Sequence, residues 1–359
     1  MPCRGFFANF RAGDIRNAFK NRKIMDKEVA LVLSSGGPRG FAYIGAIEEL
    51  EERGYRITSV CGASIGSLVG GVWAAGALKE FKQWLFSLDN FKVMSLLDIS
   101  LGKSYVVKGR RVISAIKEVV PDVEISSLPV SYTAVASDLY TGEQVIFREG
   151  PLMDAIRASI SIPSLFKPVK FGHRTLVDGG IVNTFPLSEV VRSGHDILVG
   201  FDVNDIDRKS IGEFMERADA LRKRRSRLGG KVMDHIDTIA SAKGIPMIDK
   251  VRMIGDEGGY FLKEKFFGEK ESALNHSGGK CGIPVGADDS YYSILDRSFS
   301  IMNHSLSEAA IRAYRPDVLA RLSLDSYNSI SDYAKGMEIS EKGRELMRAA
   351  LDRYEEENS

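Results

Sequence analysis

The sequence predicts an α/β fold in which a parallel sheet is covered by helices. Within the first 80 residues, apolar runs of strand length alternate with segments of helical periodicity, and glycine-rich turns join them. This strand, turn, helix order occurs twice in succession. Such alternation is typical of βαβ units, whose strands are parallel.

The first predicted element is a buried strand over Glu28–Ser34, EVALVLS. After a glycine turn, a helix with one apolar face follows and ends at Gly54. A second strand is predicted over Ile57–Cys61 and a second helix over Ser67–Leu78.

Later apolar runs predict four more strands, at Ser131–Ser137, Gln144–Phe147, Thr175–Val177 and Ile197–Val203. Helical spacing predicts helices at Asp154–Ala158, Asp296–Tyr314 and Ser340–Tyr354. Residues 205–290 differ in character, with a basic run at 222–227 followed by a glycine-rich stretch. We therefore divide the chain into a basic N-terminal arm (1–27), a core (28–204), an insertion of unknown role (205–292) and C-terminal helices that complete the core's domain (293–359).

The composition excludes several classes of protein. Among 359 residues, 44% are hydrophobic and 27% are charged, which argues against wholesale disorder. A formal net charge of +1 gives no bulk attraction to nucleic acid. The three cysteines lack the spacing of metal ligands or of a disulfide framework.

The sequence predicts a cytoplasmic protein, with any membrane contact peripheral. No apolar run reaches the roughly 18 residues of a spanning helix, and residues 1–27 lack the apolar core of a signal peptide. That arm nevertheless interleaves Lys and Arg with phenylalanines. The arm and the run at 222–227 have two interpretations, solvated segments or contacts with anionic lipid.

A candidate nucleophile lies in CGASIGSLVGG, where Gly62-Ala-Ser64-Ile-Gly66 fits G-x-S-x-G between a strand and a helix. A serine on so sharp a turn has strained backbone angles, and its neighbours must not collide, which favours glycine. The helix dipole at this point favours developing negative charge. The alternative is a tight turn with a capping serine.

A second turn, SSGGPRG, joins the first strand to the first helix. Pro38 stands where a dinucleotide fingerprint that begins at Gly36 needs its second glycine. Phe41 stands where a P-loop that begins at Gly36 needs its second glycine. Both phosphate-binding interpretations fail on this spacing. An oxyanion hole for an acyl tetrahedral intermediate remains possible.

A third turn, VDGGIVNTFP, follows a strand that ends at Asp178. Taken alone, it is an Asp-Gly turn with a self-bonding aspartate. Paired with Ser64, however, Asp178 becomes a candidate base.

Together the three turns resemble the patatin-like phospholipase family. Ser35–Gly40 matches the family motif G-G-G-x-R-G, with Ser35 in place of the first glycine. Gly62–Gly66 matches G-x-S-x-G, and Asp178–Gly180 matches D-G-G/A. Ala158–Pro163, Asn183 and Pro186 also look like the family. The resemblance covers residues 28–204 strongly and 293–352 weakly, and leaves 205–292 unassigned.

The resemblance implies a three-layer sandwich with a largely parallel central sheet, and hydrolysis of a lipid acyl ester of the phospholipase A or lysophospholipase type. It implies a Ser-Asp dyad without histidine, with Ser64 as nucleophile and Asp178 as base. The implied oxyanion hole is Gly36, Gly37, Arg39 and Gly40, and the implied nucleophile elbow is Gly62 and Gly66. The motifs imply no cofactor and no metal, and leave the oligomeric state open.

Two rival functions remain. One is a Ser-Asp-His esterase or thioesterase on soluble acyl esters, with His173, His195 or His304 as the third member. None of these histidines lies in a recognisable catalytic turn. The other is a non-catalytic lipid-binding protein, against which the presence of both Ser64 and Asp178 argues.

Overall fold

A computed structural model of the chain describes residues 27–89, 92–93, 96, 109–163, 165–207, 291–327 and 332–359. The chain divides into two compact units, one of Met1–Asp205 with Leu295–Ser359 and one of Ile206–Ile294. Most of the second unit lies outside the described residues, as do residues 1–26 and the basic run at 222–227. The architecture below is that of the first unit.

Eight strands form one sheet: β1 Glu28–Leu33, β2 Arg56–Ala63, β3 Ser131–Asp138, β4 Gln144–Phe147, β5 Val169–Phe171, β6 Arg174–Asp178, β7 Ile197–Asp205 and β8 Val318–Ser323. The α-helices are α1 Ala42–Glu52, α2 Ile65–Ala74, α3 Leu78–Phe86, α4 Arg110–Lys117, α5 Leu152–Ser159, α6 Tyr291–Tyr314 and α7 Gly336–Glu357. Short 3-10 helices span Gly37–Phe41, Ile125–Ser127, Gly179–Ile181 and Asp332–Lys335.

The strand order is β5-β6-β3-β2-β1-β7-β8, and β4 also pairs with β3. The central pairs, β3 with β2, β2 with β1, β1 with β7 and β7 with β8, are all parallel. The pairs of β3 with β4 and β6, and of β5 with β6, are antiparallel. The carboxyl ends of the parallel strands therefore meet at one edge, where ligands bind in open α/β sheets.

The two faces of the sheet bury separate sets of apolar side chains. In β1, Val29, Leu31 and Leu33 pack with α1, α2, α3, α5 and α7. The alternate residues Ala30 and Val32 pack in a second cluster with the segment after β6 and with α6. Because side chains alternate along a strand, β1 is apolar on both faces. The three-layer α/β fold predicted from the sequence is confirmed.

Two differences from the predicted elements have a local cause. The helix predicted over Ser67–Leu78 ends at Ala74, because Gly76, with a positive φ of 73°, turns the chain before α3 begins at Leu78. The C-terminal segment, predicted as helices, also contains β8. This strand alternates buried and partly buried residues, and Arg321 on it weakens the apolar signal.

Helix α1, which follows the glycine-rich turn, lies directly against α7. A Cβ on Gly343 would overlap the backbone of Ala42, and a Cβ on Gly45 would overlap the backbone of Ser340. The two glycines thus allow the helix backbones to touch. Beside this contact, Arg344 binds Glu48 at 2.6 Å, one of several ion pairs between the helices.

Among the described residues, no helix is both long enough and apolar enough to cross a bilayer.

Candidate active site

Ser64 occupies the sharp turn between β2 and α2. Its backbone has φ 52° and ψ −123°. Among the described residues, Arg315 is the only other non-glycine residue with positive φ. Such a conformation costs free energy and persists where the surrounding structure enforces it, as at nucleophile elbows.

Gly62 and Gly66 make this turn sterically possible. A Cβ on Gly62 would overlap the backbone of Gly66, and a Cβ on Gly66 would overlap the carbonyl of Leu33 in β1. The turn is also fixed by the Ser64 amide, which donates to Ser159 Oγ at 2.9 Å. Both predicted elbow positions therefore require glycine, because any side chain there would overlap neighbouring backbone.

Asp178 lies at the end of β6, and its carboxylate faces Ser64. Ser64 Oγ donates a hydrogen bond to Asp178 Oδ2. The Gly180 amide donates to Asp178 Oδ1 at 2.7 Å, so Asp178 caps the 3-10 helix that follows it. Both side chains are nearly inaccessible, with Ser64 3% and Asp178 5% exposed.

Burial raises the pKa of Asp178 to about 7, although the hydrogen bonds from Ser64 and Gly180 act in the opposite direction. Desolvation disfavours the charged form of a carboxyl group, which is why the shift is upward. A carboxylate with a pKa near neutrality is a better proton acceptor than an ordinary aspartate.

The glycine-rich turn lies beside the elbow. Gly37 has φ 60°, in the left-handed region. A Cβ on Gly40 would overlap the side chain of Ile65, the residue after Ser64. The buried Arg39 side chain points away into the C-terminal segment, where its Nη1 donates to Leu324 O at 2.9 Å. Arg39 therefore anchors the turn.

Ser35, which replaces a glycine of the family motif, packs against the turn that holds Asp178. A Cβ on Gly180 would overlap the Ser35 hydroxyl. The two glycine-containing turns are thus in contact, so the predicted site residues are brought together. The roles of the Gly36, Gly37, Arg39 and Gly40 amides as oxyanion donors stay a prediction.

The described histidines make no contact with this pair. His173 and His195 are exposed, and His304 Nδ1 lies 2.9 Å from the carbonyl oxygen of Asn204. Among the described residues, the hydrogen-bond partners of the Asp178 carboxylate are Ser64 and Gly180.

One group of described side chains has the spacing of metal ligands, namely Asp205, His304 and Glu308. Arg321 already binds both carboxylates, with Asp205 Oδ1 at 2.7 Å. A metal ion would have to displace this guanidinium, so the donor set fits an ion-pair cluster better than a cation site.

The sequence interpretation missed Asn204, whose side chain reaches the glycine-rich turn. Asn204 Nδ2 donates to Ser35 O at 2.7 Å. The available signal was the end of the apolar strand ILVGFDVND, where the polar residues Asp202 and Asn204 alternate. Polar residues on one face of a buried strand indicate a specific hydrogen-bond partner.

Comparison with known proteins finds a family match over the part of the chain that contains Ser64 and Asp178. Residues 31–191 match a family model described as patatin-like phospholipase. An uncharacterised NTE family protein of Mycobacterium tuberculosis is 42% identical over 187 residues, which are 52% of this chain and 52% of the relative. The lysophospholipase NTE1 of Kluyveromyces lactis is 31% identical over 203 residues, 54% of this chain and 14% of that protein. The matches thus extend over about half the length of the first relative and less of the second.

Two solved structures are also similar. VipD of Legionella pneumophila aligns with a TM-score of 0.40 and 14% identity, covering 92% of this chain and 67% of that chain. ExoU in its complex with SpcU, from Pseudomonas aeruginosa, aligns with a TM-score of 0.35 and 18% identity, covering 50% of this chain and 44% of that chain. Both scores are below 0.5, so these likenesses support no conclusion about this chain.

Proposed function

Since residues 31–191 carry a patatin-like phospholipase domain, we propose that this chain hydrolyses acyl ester bonds of lipids with Ser64 as nucleophile and Asp178 as base. The observation that carries the proposal is the hydrogen bond from Ser64 Oγ to the buried Asp178 carboxylate, at a turn with φ 52°. A capping serine needs neither that partner nor that strained backbone.

The proposed reaction has two steps. Ser64 Oγ attacks the ester carbonyl while Asp178 takes its proton, and the alcohol then leaves with that proton, which gives an acyl-enzyme. In the second step, Asp178 takes a proton from water, which attacks the acyl carbon. The free fatty acid leaves, and Ser64 recovers its proton from Asp178.

Stabilisation of the tetrahedral oxyanion is assigned to the backbone amides of the glycine-rich turn. Pro38 has no N–H, which leaves the amides of Gly36, Gly37, Arg39 and Gly40. Amides held in a water-poor site need no reorganisation when charge develops, and one such donor contributes about 3–4 kcal/mol.

The proposed substrates are phospholipids or lysophospholipids, and the support for them is the family match together with the relative named a lysophospholipase. Such substrates lie in bilayers or micelles. The proposal therefore includes peripheral contact with a lipid surface.

The test is Ser64→Ala, with Ser59→Ala as a matched control. Ser59 is a buried serine of β2, the strand that precedes Ser64, but it donates to Val191 O instead of to the candidate base. We expect Ser64→Ala to lose labelling by a fluorophosphonate probe and to lower ester hydrolysis by several powers of ten. The Ser59→Ala protein should keep both.

Labelling of Ser64→Ala at wild-type rate would exclude Ser64 as the nucleophile. A wild-type protein that binds phospholipid vesicles, but is neither labelled nor able to hydrolyse any ester, would instead identify a non-catalytic lipid-binding protein. Loss of activity in His304→Ala alone, with the fold intact, would favour a triad.

A further inference from the structure

Two fully buried polar residues of β7, Asp202 and Asn204, lie beneath the glycine-rich turn. Both side chains are 0% exposed. Asp202 Oδ1 accepts from Asn204 Nδ2 at 3.0 Å and from Ser307 Oγ at 3.0 Å, while Asp202 Oδ2 and Asn204 Oδ1 have no hydrogen-bond partner among the described residues. Burying polar atoms without partners is unfavourable, so this pair needs an explanation other than stability.

Asn204 directs its amide nitrogen at the turn. Asn204 Nδ2 donates to Ser35 O at 2.7 Å and lies 3.1 Å from Ser34 Oγ. Ser34 Oγ also donates to Ser35 O at 3.1 Å and accepts from the Val203 amide at 3.1 Å. The Ser35 carbonyl is thus held from two sides.

Fixing that carbonyl fixes the next amide. The Ser35 C=O and the Gly36 N–H belong to one planar trans peptide unit, in which the two bonds point in opposite directions. With the carbonyl directed at Asn204, the Gly36 N–H is directed away from β7. Within the described residues, no acceptor is bound to this amide. The turn is also tight on the strand, since a Cβ on Gly36 would overlap the side chain of Val203.

We propose that Asn204, oriented by Asp202, is a positioning residue that aims the Gly36 amide at the oxyanion of the tetrahedral intermediate. The inference rests on the proposed acyl-ester hydrolysis. Asn204 acts through the Ser35–Gly36 peptide and does not touch the substrate. This role explains why a buried strand keeps two polar side chains.

The experiment compares Asn204→Asp and Asn204→Ala with the wild type and with Ser59→Ala, all as the full chain. Asn204→Asp keeps the shape but replaces the donor by an acceptor that faces Ser35 O. With p-nitrophenyl butyrate, and after titration of active sites with a fluorophosphonate, we expect kcat to fall about tenfold to a hundredfold, since a misaimed oxyanion donor is partly lost. KM should stay within about threefold, because the contact belongs to the transition state.

The decisive readout is inhibition by a trifluoromethyl ketone, whose adduct with Ser64 carries an oxyanion. Its inhibition constant should rise by the factor by which kcat/KM falls. A merely structural loss would lower the active fraction and leave that constant unchanged. Ser59→Ala should change neither quantity.

Two results would overturn the inference separately from the proposed function. If the wild type hydrolyses esters and both Asn204 variants keep kcat and the inhibition constant within about threefold, Asn204 does not aim the amide. If Asn204→Asp fails to fold, Asn204→Ala alone decides by the same criterion. A wild type without any ester hydrolysis overturns the proposed function, and this inference with it.

Discussion

At the scale of single residues, the protonation state of Asp178 should control the rate. Burial raises the pKa of Asp178 from 3.8 to about 7. Only the ionised carboxylate accepts the Ser64 proton, so activity is fully present above that pKa and is lost as the pH falls through it. We expect kcat/KM on a soluble ester to fall about tenfold per pH unit below pH 7.

The measurement is a profile of kcat/KM from pH 5 to pH 9. Asp178→Asn, which cannot ionise, serves as the control and should be nearly inactive across the range. A wild-type profile that is flat between pH 5 and pH 8 would contradict the assignment of Asp178 as the base.

The residues of the site differ in how far the sequence alone predicts them. Ser64 was identifiable because its strained turn demands glycines within two residues, which leaves a local pattern. At Asp178 the local pattern indicates only an Asp-Gly turn, and its candidacy as the base came from the pairing with Ser64 and from the family resemblance. Asn204 was missed because its partner, Ser35, is 169 positions away and no local geometry constrains the pair. Long-range hydrogen bonds leave no spacing to find.

At the scale of elements, the contact of α1 with α7 predicts that a glycine-to-alanine substitution in α7 destabilises the protein. Replacing a glycine inside a helix by alanine usually stabilises a protein by about 1 kcal/mol. At Gly343, the added Cβ would overlap the backbone of Ala42. The helices would have to separate, so we expect Gly343→Ala to lower the free energy of unfolding by about 2 kcal/mol.

Urea denaturation followed by circular dichroism measures this change, with Lys342→Ala as the control. Lys342 is the neighbouring residue on α7, and its half-exposed side chain pairs with Glu345. The control should change stability by less than about 0.5 kcal/mol. An unchanged or increased stability of Gly343→Ala would mean that the helices do not meet at this glycine.

The elements themselves were predictable where apolar periodicity was strong. Strands β1 and β7 are buried on both faces; β1 is a continuous apolar run, and β7 is one up to Phe201. Strand β8 was not predicted, because its buried residues Val318, Ala320 and Leu322 alternate with partly exposed ones over only six residues. The break at Gly76 was missed because a glycine in an apolar helical pattern does not by itself reveal a positive φ.

At the scale of the whole molecule, the unit that carries Ser64 and Asp178 should survive removal of residues 206–294. All contacts described for the site lie within Met1–Asp205 and Leu295–Ser359. His304 touches the carbonyl of Asn204, and Leu295 is nine residues earlier on α6, or about 14 Å. A flexible linker of about ten residues spans that distance.

In this variant, fluorophosphonate labelling of Ser64 and hydrolysis of p-nitrophenyl butyrate should persist. Sedimentation with anionic vesicles at low salt should weaken if the basic run at 222–227 contacts lipid, because each basic residue contributes about 1 kcal/mol. A variant with the run changed to glutamine in the full chain separates charge from deletion. Loss of labelling in a folded linker variant would show that the chemistry needs the removed unit.

The hydrogen bond from Arg39 to the Leu324 carbonyl has a consequence for folding during synthesis on the ribosome. The two partners are 285 positions apart, so at about 5–20 residues per second the acceptor emerges roughly 15–60 seconds after the arginine. Strand β8, which covers the edge of β7, emerges equally late. In a nascent chain, Ser64 is therefore synthesised early while the β7 edge of the sheet is still unpaired, and unpaired edges can pair with other chains. Translation that stalls before β8 should therefore yield aggregates that chaperones must remove.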